Sequence, residues 1–421
     1  MSLLCHVNPV LSPVQHGFVS GRSCATNLAT LLSTSWDSIA SGDQTDCIYT
    51  DFSAAFQSVN HSLLIHKLQN SFNVTDTALS WFTSYLENRR QRVIVNGRCS
   101  EWSRVTSGTP EGGLISPLLF ALHIYDLPSE MSSRCLMFAD DVKIYRWITC
   151  AADADLLQAD LQKLCRWSET WKLSLNPAKC KSFRMTLKTK PILTTYFAKN
   201  TALEHVNSIR DLGVTLDTKL TFGPHIQSTV MKANRALGGL IRSFQTATPR
   251  GHLNTSAVLT SYFANVRSVL EFCSVIWGGA AAVHTDRVDR VQHRFLMWLN
   301  AHSRSRSPSM SYATLLKHFK TCSLASRRTQ HDILFARNVL TGKIRSSFLL
   351  SAFSLITPIR LTRQQVLLYV PYARVSTVRG GLFVRLPKVV NSFLRQRSQA
   401  DIFHDSYVTF RSSVIAYVCA A

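Results

Sequence analysis

Apolar residues along this chain change spacing several times, and each change marks an element. Asp46-Cys47-Ile48-Tyr49-Thr50-Asp51-Phe52 is rich in β-formers and predicts a strand that ends in an acid. His61 to Phe72 and Thr77 to Leu86 return apolar residues every three to four positions, the period of an amphipathic helix. Arg92 to Arg98 carries Asn96-Gly97 between extended runs and predicts a tight turn. Cys135 to Phe138 and Val142 to Tyr145 are short β-prone runs around Asp140-Asp141, which predicts a hairpin with two acids at its tip. Leu157, Leu161 and Leu164 mark a further helix, with Asp153 and Asp155 suited to its N-terminal end.

The second half is patterned differently. Val230, Ala233, Leu237, Leu240 and Phe244 fall on one helical face; Leu259, Tyr262, Val266, Val269 and Cys273 form a second, and Val288, Val291, Phe295 and Trp298 a third. Arg287, Arg290 and Arg294 form a basic stripe on the third helix, either a solvated face or a row of phosphate contacts. Ser303 to Pro308 reads as a linker, and beyond it the pattern is Arg-rich and mixed. Strand and helix cues mix in the first half without a regular βαβ rhythm. The expected fold class is therefore α+β, an antiparallel sheet with helices on one face.

Length and composition narrow the class. A chain of 421 residues suggests two to three modules, and 46% hydrophobic residues suffice for sizeable cores. No apolar run is long enough to span a membrane, and the N-terminus does not read as a signal peptide. Eleven cysteines are scattered without a C-x-x-C pair, so reduced, intracellular thiols are expected, in nucleus or cytoplasm. Charge is lopsided: residues 1–220 hold 21 Lys/Arg against 19 Asp/Glu, and residues 221–421 hold 26 against 6. A field of that kind points to a polyanionic partner, nucleic acid before membrane.

The candidate chemistry is acidic. An Asp-Asp pair alone is most often a plain turn. Asp51, however, ends a strand 89 residues earlier. If the two strands are neighbours, three carboxylates converge at one sheet edge and call for divalent cations, suited to phosphoryl transfer.

Three segments then occur in order: Tyr49 to Phe56, Gly108 to Phe120, and Phe138-Ala139-Asp140-Asp141. They resemble the palm motifs of reverse transcriptases from non-LTR retrotransposons of the jockey-like or CR1-like kind. Gln15 to Ser23 resembles the fingers segment, Trp167 to Lys179 the motif after the catalytic hairpin, and Leu212 to Asp217 with Phe222 and His225 the primer grip. The resemblance implies a right-hand polymerase, with partial fingers over 1–45, palm over 46–222, a helical thumb over 223–302 and a basic region of unknown role over 309–421. It implies an RNA template, a DNA primer and dNTP as partners, with two Mg²⁺, or Mn²⁺ in their place, on Asp51, Asp140 and Asp141. Lys179 matches a residue that protonates pyrophosphate, or is a surface lysine. Phe56 matches the ring that excludes a 2′-hydroxyl, or is a core aromatic. Phe52, Gly108, Pro110, Glu111, Gly112, Gly113 and Arg22 are implied on the substrate side, and Arg89, Arg90 and Arg92 beside the nucleic acid.

Departures from the family pattern accompany the match. Glu111 stands for a usual Gln, Gln57 for a common acid and Ala54 for a common Lys; Gly113 and Ser116 exchange the usual order. An upstream Arg-Pro-Ile-like segment and an endonuclease domain are not seen. The expectation is an N-terminally truncated or decayed copy. The rival readings are a remnant that only binds RNA or DNA through its basic half, and a nuclease using the same carboxylates.

Overall fold

The computed structural model describes residues 11–247, 254–303, 310–356, 366–397 and 399–420. It divides into two units, one of Met1–Asn27 with Ser41–Asn207, the other of Leu28–Ala40 with Ser208–Ala421.

In the first unit, β1 (Gln44–Thr50) is followed by a ribbon of β2 (Arg90–Gln91), β3 (Ile94–Val95), β4 (Arg98–Cys99) and β5 (Ser103–Arg104). Next come β6 (Arg134–Phe138), β7 (Asp141–Ile148), β8 (Lys181–Thr186), a short β9–β10 pair (Phe197–Ala198, Thr201–Ala202) and β11 (Glu204–Val206). The main sheet has the order β11-β8-β1-β7-β6. Every pairing in it is antiparallel except β11 on β8, which is parallel. The expected antiparallel sheet thus carries one parallel edge, because the chain crosses over between β8 and β11 instead of turning straight back.

Strand alternation puts Ile48, Val142, Ile144 and Met137 in one core with Leu64 and Leu68 of the helix His61–Phe72, Leu119 and Phe120 of Ser116–His123, and Leu157, Leu161 and Leu164 of Ala151–Thr170. Most of these side chains are fully buried, and each stabilises the fold by roughly 1.5–3 kcal/mol. Local signals set the helix ends. Asn60 Oδ1 accepts from the Leu63 N–H at 3.0 Å, and Asn73 ends the same helix in the left-handed region at φ 51°. Thr75 precedes Asp76–Leu86, the second predicted helix.

One buried network ties β1 to β8. Arg184 donates from Nε and Nη2 to the two Asp46 oxygens at 2.8 Å each. Tyr196 Oη donates to Oδ2 at 2.9 Å, and Gln44 Nε2 to Oδ1 at 3.0 Å. Burial and the adjacent Asp46 push the Tyr196 phenol well above its ordinary range.

Besides the helical Leu28–Ala40, the second unit holds the hairpin of β12 (Ser208–Asp211) and β13 (Val214–Asp217), and its other regular elements among the described residues are helices. Gly223–Ala247 and Ala282–His302 carry the first and third predicted faces. The second is not one helix: Thr255–Tyr262 passes through a π turn at Phe263–Arg267 into Ser268–Glu271, and Cys273 turns left-handed at φ 49°. The π turn takes up one extra residue, so the period read through to Cys273 fails there. Tyr262 still stacks on Phe295, with centroids 3.9 Å apart. Of the predicted linker only Ser303 lies within the described residues. Beyond it Leu324–Leu340, Leu382–Gln396 and Tyr407–Ala420 are helices. Acids of this unit are internally engaged: Asp332 pairs with Arg385, and Asp289 of Ala282–His302 with Arg328. Cys322 and Cys419 are joined by a disulfide, which corrects the expectation of reduced thiols for this pair; tertiary packing brings their Cα atoms within 6.0 Å across 97 residues of sequence. Among the described residues no helix is long and apolar enough to cross a membrane.

Candidate active site

The sheet delivers the acids to one end. The last β1–β7 partners are Thr50 and Val142, so Asp51 stands one step further on, opposite Asp141. Phe138 pairs with Asp141, leaving Ala139 and Asp140 as a two-residue loop. Ala139 holds φ 56°, a strained value for a residue with a Cβ. The tip is held by a segment from far upstream. The Ala139 N–H donates to Gln15 Oε1 at 3.0 Å, and the Gly17 N–H donates to the same oxygen at 2.8 Å. His16 N–H donates to the Met137 carbonyl at 2.8 Å, and Met137 N–H to Val14 at 3.0 Å. Only glycine fits at 17, since a Cβ there would lie 2.4 Å from the Ala139 nitrogen. Beneath, His16 Nδ1 meets Thr26 Oγ1 at 2.8 Å, and burial with nearby Arg22 and Lys143 lowers its pKa to about 3.

Asp51 is held from its other side. Ser53 N–H donates to Ser174, Phe52 bridges Leu175, and Asn176 N–H donates to the Asp51 carbonyl at 2.9 Å. Lys179 follows on that segment, its Nζ 3.7 Å from Asp51 Oδ2. The Asp51 side chain remains 42% exposed, and Lys179 67%. Asp140 is half-buried and Asp141 exposed. Among the described residues no group of three or more His, Cys, Asp or Glu stands together as a ready metal cage. The expected convergence of three carboxylates therefore holds at the level of strand register and not as a three-ligand cluster; Asp141 lies in the strand, where its direction follows the pleat. The donor chemistry still fits Mg²⁺, a hard ion held by one or two carboxylates with substrate phosphate and water completing its shell.

Beside this strand end lies a cleft of about 680 Å³ lined by Ala54, Phe56, Thr109, Pro110, Glu111 and Gly113, among others. Phe56 stacks on Phe120, centroids 4.4 Å apart, and leaves part of its ring at the cleft. Gly112 lines the same cleft. Gly108 sits at φ 86°, and a Cβ there would come within 2.8 Å of the Gln57 backbone. Thr109 N–H donates to the Phe56 carbonyl at 2.9 Å. Gln57 Nε2 donates to Glu111 Oε1 at 2.6 Å, so two of the departures from the family pattern are partners of one another.

Other expected residues stand elsewhere. Phe52 is buried in the core and not in the cleft. Arg22 Nη1 donates to the carbonyls of Ser12, Pro13 and Gln15, which makes it a clamp on the segment under the hairpin tip. Arg89, Arg90 and Arg92 are on or beside the β2–β5 ribbon. Arg287, Arg290 and Arg294 lie exposed on Ala282–His302, in the second unit. Sequence reasoning missed Gln15 and Thr109. Gln15 lies within the fingers-like segment, but its role depends on meeting residue 139; Thr109 Oγ1 is buried at the cleft without a hydrogen-bond partner.

Residues 1–216 match the family described as reverse transcriptase (RNA-dependent DNA polymerase). The chain belongs to the reverse transcriptase family. It is 27% identical over 301 residues to the probable RNA-directed DNA polymerase from transposon BS of Drosophila melanogaster, covering 68% of this chain and 32% of that protein. It is 24% identical over 309 residues to the RNA-directed DNA polymerase from mobile element jockey of Drosophila funebris, covering 69% and 32%. This reverse transcriptase chain thus resembles non-LTR elements, as its motifs led one to expect, and spans about a third of the length of these curated relatives. A telomerase structure from Candida tropicalis aligns at 10% identity over 93% of this chain and 52% of that one, with a TM-score of 0.39, too low to bear on the fold.

Proposed function

We propose that this chain extends a DNA primer on an RNA template, joining the primer 3′-hydroxyl to the α-phosphate of a dNTP with release of pyrophosphate. The observation that carries this reading is the register that sets Asp51 against the Asp140–Asp141 hairpin, next to the Phe56 cleft. Asp51 and Asp140 would hold two Mg²⁺, with Asp141 as the third acid; Mn²⁺ could take their place. When bound, the ions supply activation of the attacking hydroxyl and charge neutralisation of the leaving group. Lys179, beside Asp51, donates a proton to the departing pyrophosphate. Phe56 excludes a 2′-hydroxyl by volume, and its stacking on Phe120 keeps the ring in place. The loop Gly108 to Gly113 lies against the templating pair, where its glycines permit close approach of the backbone. Fingers over 1–45, palm over 46–222, thumb over 223–302 and a basic region over 309–421 complete the assignment, with action in nucleus or cytoplasm.

Primer extension on an RNA template with dNTPs and Mg²⁺ tests the reading. Extension that stops on chelation and is lost in Asp140→Asn is expected. Template binding without extension, unchanged by Asp140→Asn, overturns it. That outcome leaves the second reading, a binding-only chain, which the 26 basic against 6 acidic residues of 221–421 favour.

A further inference from the structure

The ribbon between Arg89 and Val105 concentrates charge. It holds Arg89, Arg90, Arg92, Arg98 and Arg104 against one acid, Glu101, a net of +4 in 17 residues. Residues 1–220 as a whole carry only +2, so the rest of that half is net negative. The arginines are also placed at odds with folding. In the β2–β5 ladder Arg90 is directly opposite Arg104, and like charges facing across strands destabilise the pair. None of the five forms an ion pair with a described residue.

Two positions along each strand from that pair, Arg92 lies over the Trp102 ring, 4.7 Å from its centroid. Trp102 is nevertheless 57% exposed. Asn96 and Gly97, both at positive φ, turn the ribbon back so that Val95 pairs with Arg98, as the Asn-Gly signal predicts. At its base, Arg89 and Arg104 border a cleft of about 640 Å³ with Asn60, His61 and Thr106. A cross-strand arginine pair without acids gains from an anion between its members. An exposed indole beside it gains from a flat apolar partner. A nucleic-acid strand with unpaired bases offers both, whereas a duplex hides its base faces.

We propose that the ribbon Arg89–Val105 is a docking arm for single-stranded RNA. Arg90 and Arg104 straddle a backbone phosphate, and Trp102, backed by Arg92, stacks on an unpaired base. The choice of RNA over DNA rests on the RNA-templated reading above; the phosphate and base contacts do not.

Binding of fluorescent 20-nucleotide oligo(U) RNA to the full chain, followed by anisotropy across a salt series, tests this arm without requiring catalysis. Arg90→Gln/Arg104→Gln should weaken binding about tenfold at low salt and reduce the slope of log K against log salt by about 1. Trp102→Ala should weaken it at least about fivefold and leave the salt slope unchanged. The double variant removes a like-charge pair, so its melting temperature should equal or exceed that of the parent, which guards against loss of fold. Unchanged RNA affinity in the folded double variant overturns the proposal. So does a loss of affinity confined to oligo(dT) DNA, or an equal loss for blunt duplex. Altered self-association with RNA affinity intact assigns the ribbon to protein contact and overturns it as well. Loss of RNA binding in a chain that never extends a primer keeps the arm and removes the polymerase reading. Extension with binding unaffected by these substitutions does the reverse.

Discussion

The two ends of β1 each carry an aspartate, five residues apart, and they are treated oppositely. Asp46 is buried and receives a bidentate arginine, a phenol and a carboxamide. Asp51 is 42% exposed and has one lysine at 3.7 Å. Its neighbours across the strand end are two further acids and not a guanidinium. A fold that needed only to neutralise a carboxylate has the Asp46 solution to hand. The other end keeps its negative charge available, which is the electrostatic condition for taking up cations with a phosphate substrate.

Breaking the satisfied end should have the largest effect. Arg184→Ala leaves Asp46 buried and unpaired, and chemical denaturation should register a loss of about 3–5 kcal/mol. At the other end, Asp51→Asn or Asp140→Asn should lower primer extension by about 10²–10³-fold or more while the denaturation midpoint holds or rises, since a repulsive charge is removed. An equal stability loss at both ends would erase the distinction.

The support under the hairpin tip can be probed by pH. His16 stays neutral in the fold down to about 3, below its ordinary 6.5. The unfolded chain therefore binds the proton first, and stability falls as pH drops from 6.5 toward 3. The loss should be about 3 kcal/mol by pH 4, and His16→Gln should flatten that part of the pH–stability curve. Smaller still is the Gln57–Glu111 contact. Gln57→Glu should weaken the cleft wall by roughly 1 kcal/mol through carboxylate repulsion, and adding Glu111→Gln should restore it. A double-mutant cycle with no coupling would show that the contact contributes nothing. Lys179→Met should change stability by less than about 0.5 kcal/mol, because the pair is exposed. A slowed extension in the same variant would assign Lys179 to chemistry.

Local order was readable wherever one segment sufficed. The helix His61–Phe72, the Asn96-Gly97 turn and the hairpin around Asp140 follow from period and turn chemistry. The placement of Asp51 beside that hairpin was legible only through the motif order. What escaped depends on long-range meetings. Lys67, on the helix His61–Phe72, is 1% exposed, with its ammonium 2.6 Å from Asp126 and 3.4 Å from the Trp171 ring centroid, partners that lie 59 and 104 positions further along the chain. The parallel β11 edge, the π turn and the Cys322–Cys419 bond likewise have no signature within a window of the chain. The helices past residue 310 were hidden by Pro387 within Leu382–Gln396 and by arginines whose partners are distant acids.

The Gln15 clamp on Ala139 also bears on the order of assembly. The β6–β7 hairpin closes over two residues and can form within about 1–10 μs. Its tip is finished by a carboxamide 124 positions away, a contact that must wait for a long loop to close. The hairpin can thus form before its aspartate loop is locked. The hairpin alone does not fix the loop that carries Asp140; that is completed by the docking of one upstream glutamine on the Ala139 and Gly17 N–H groups.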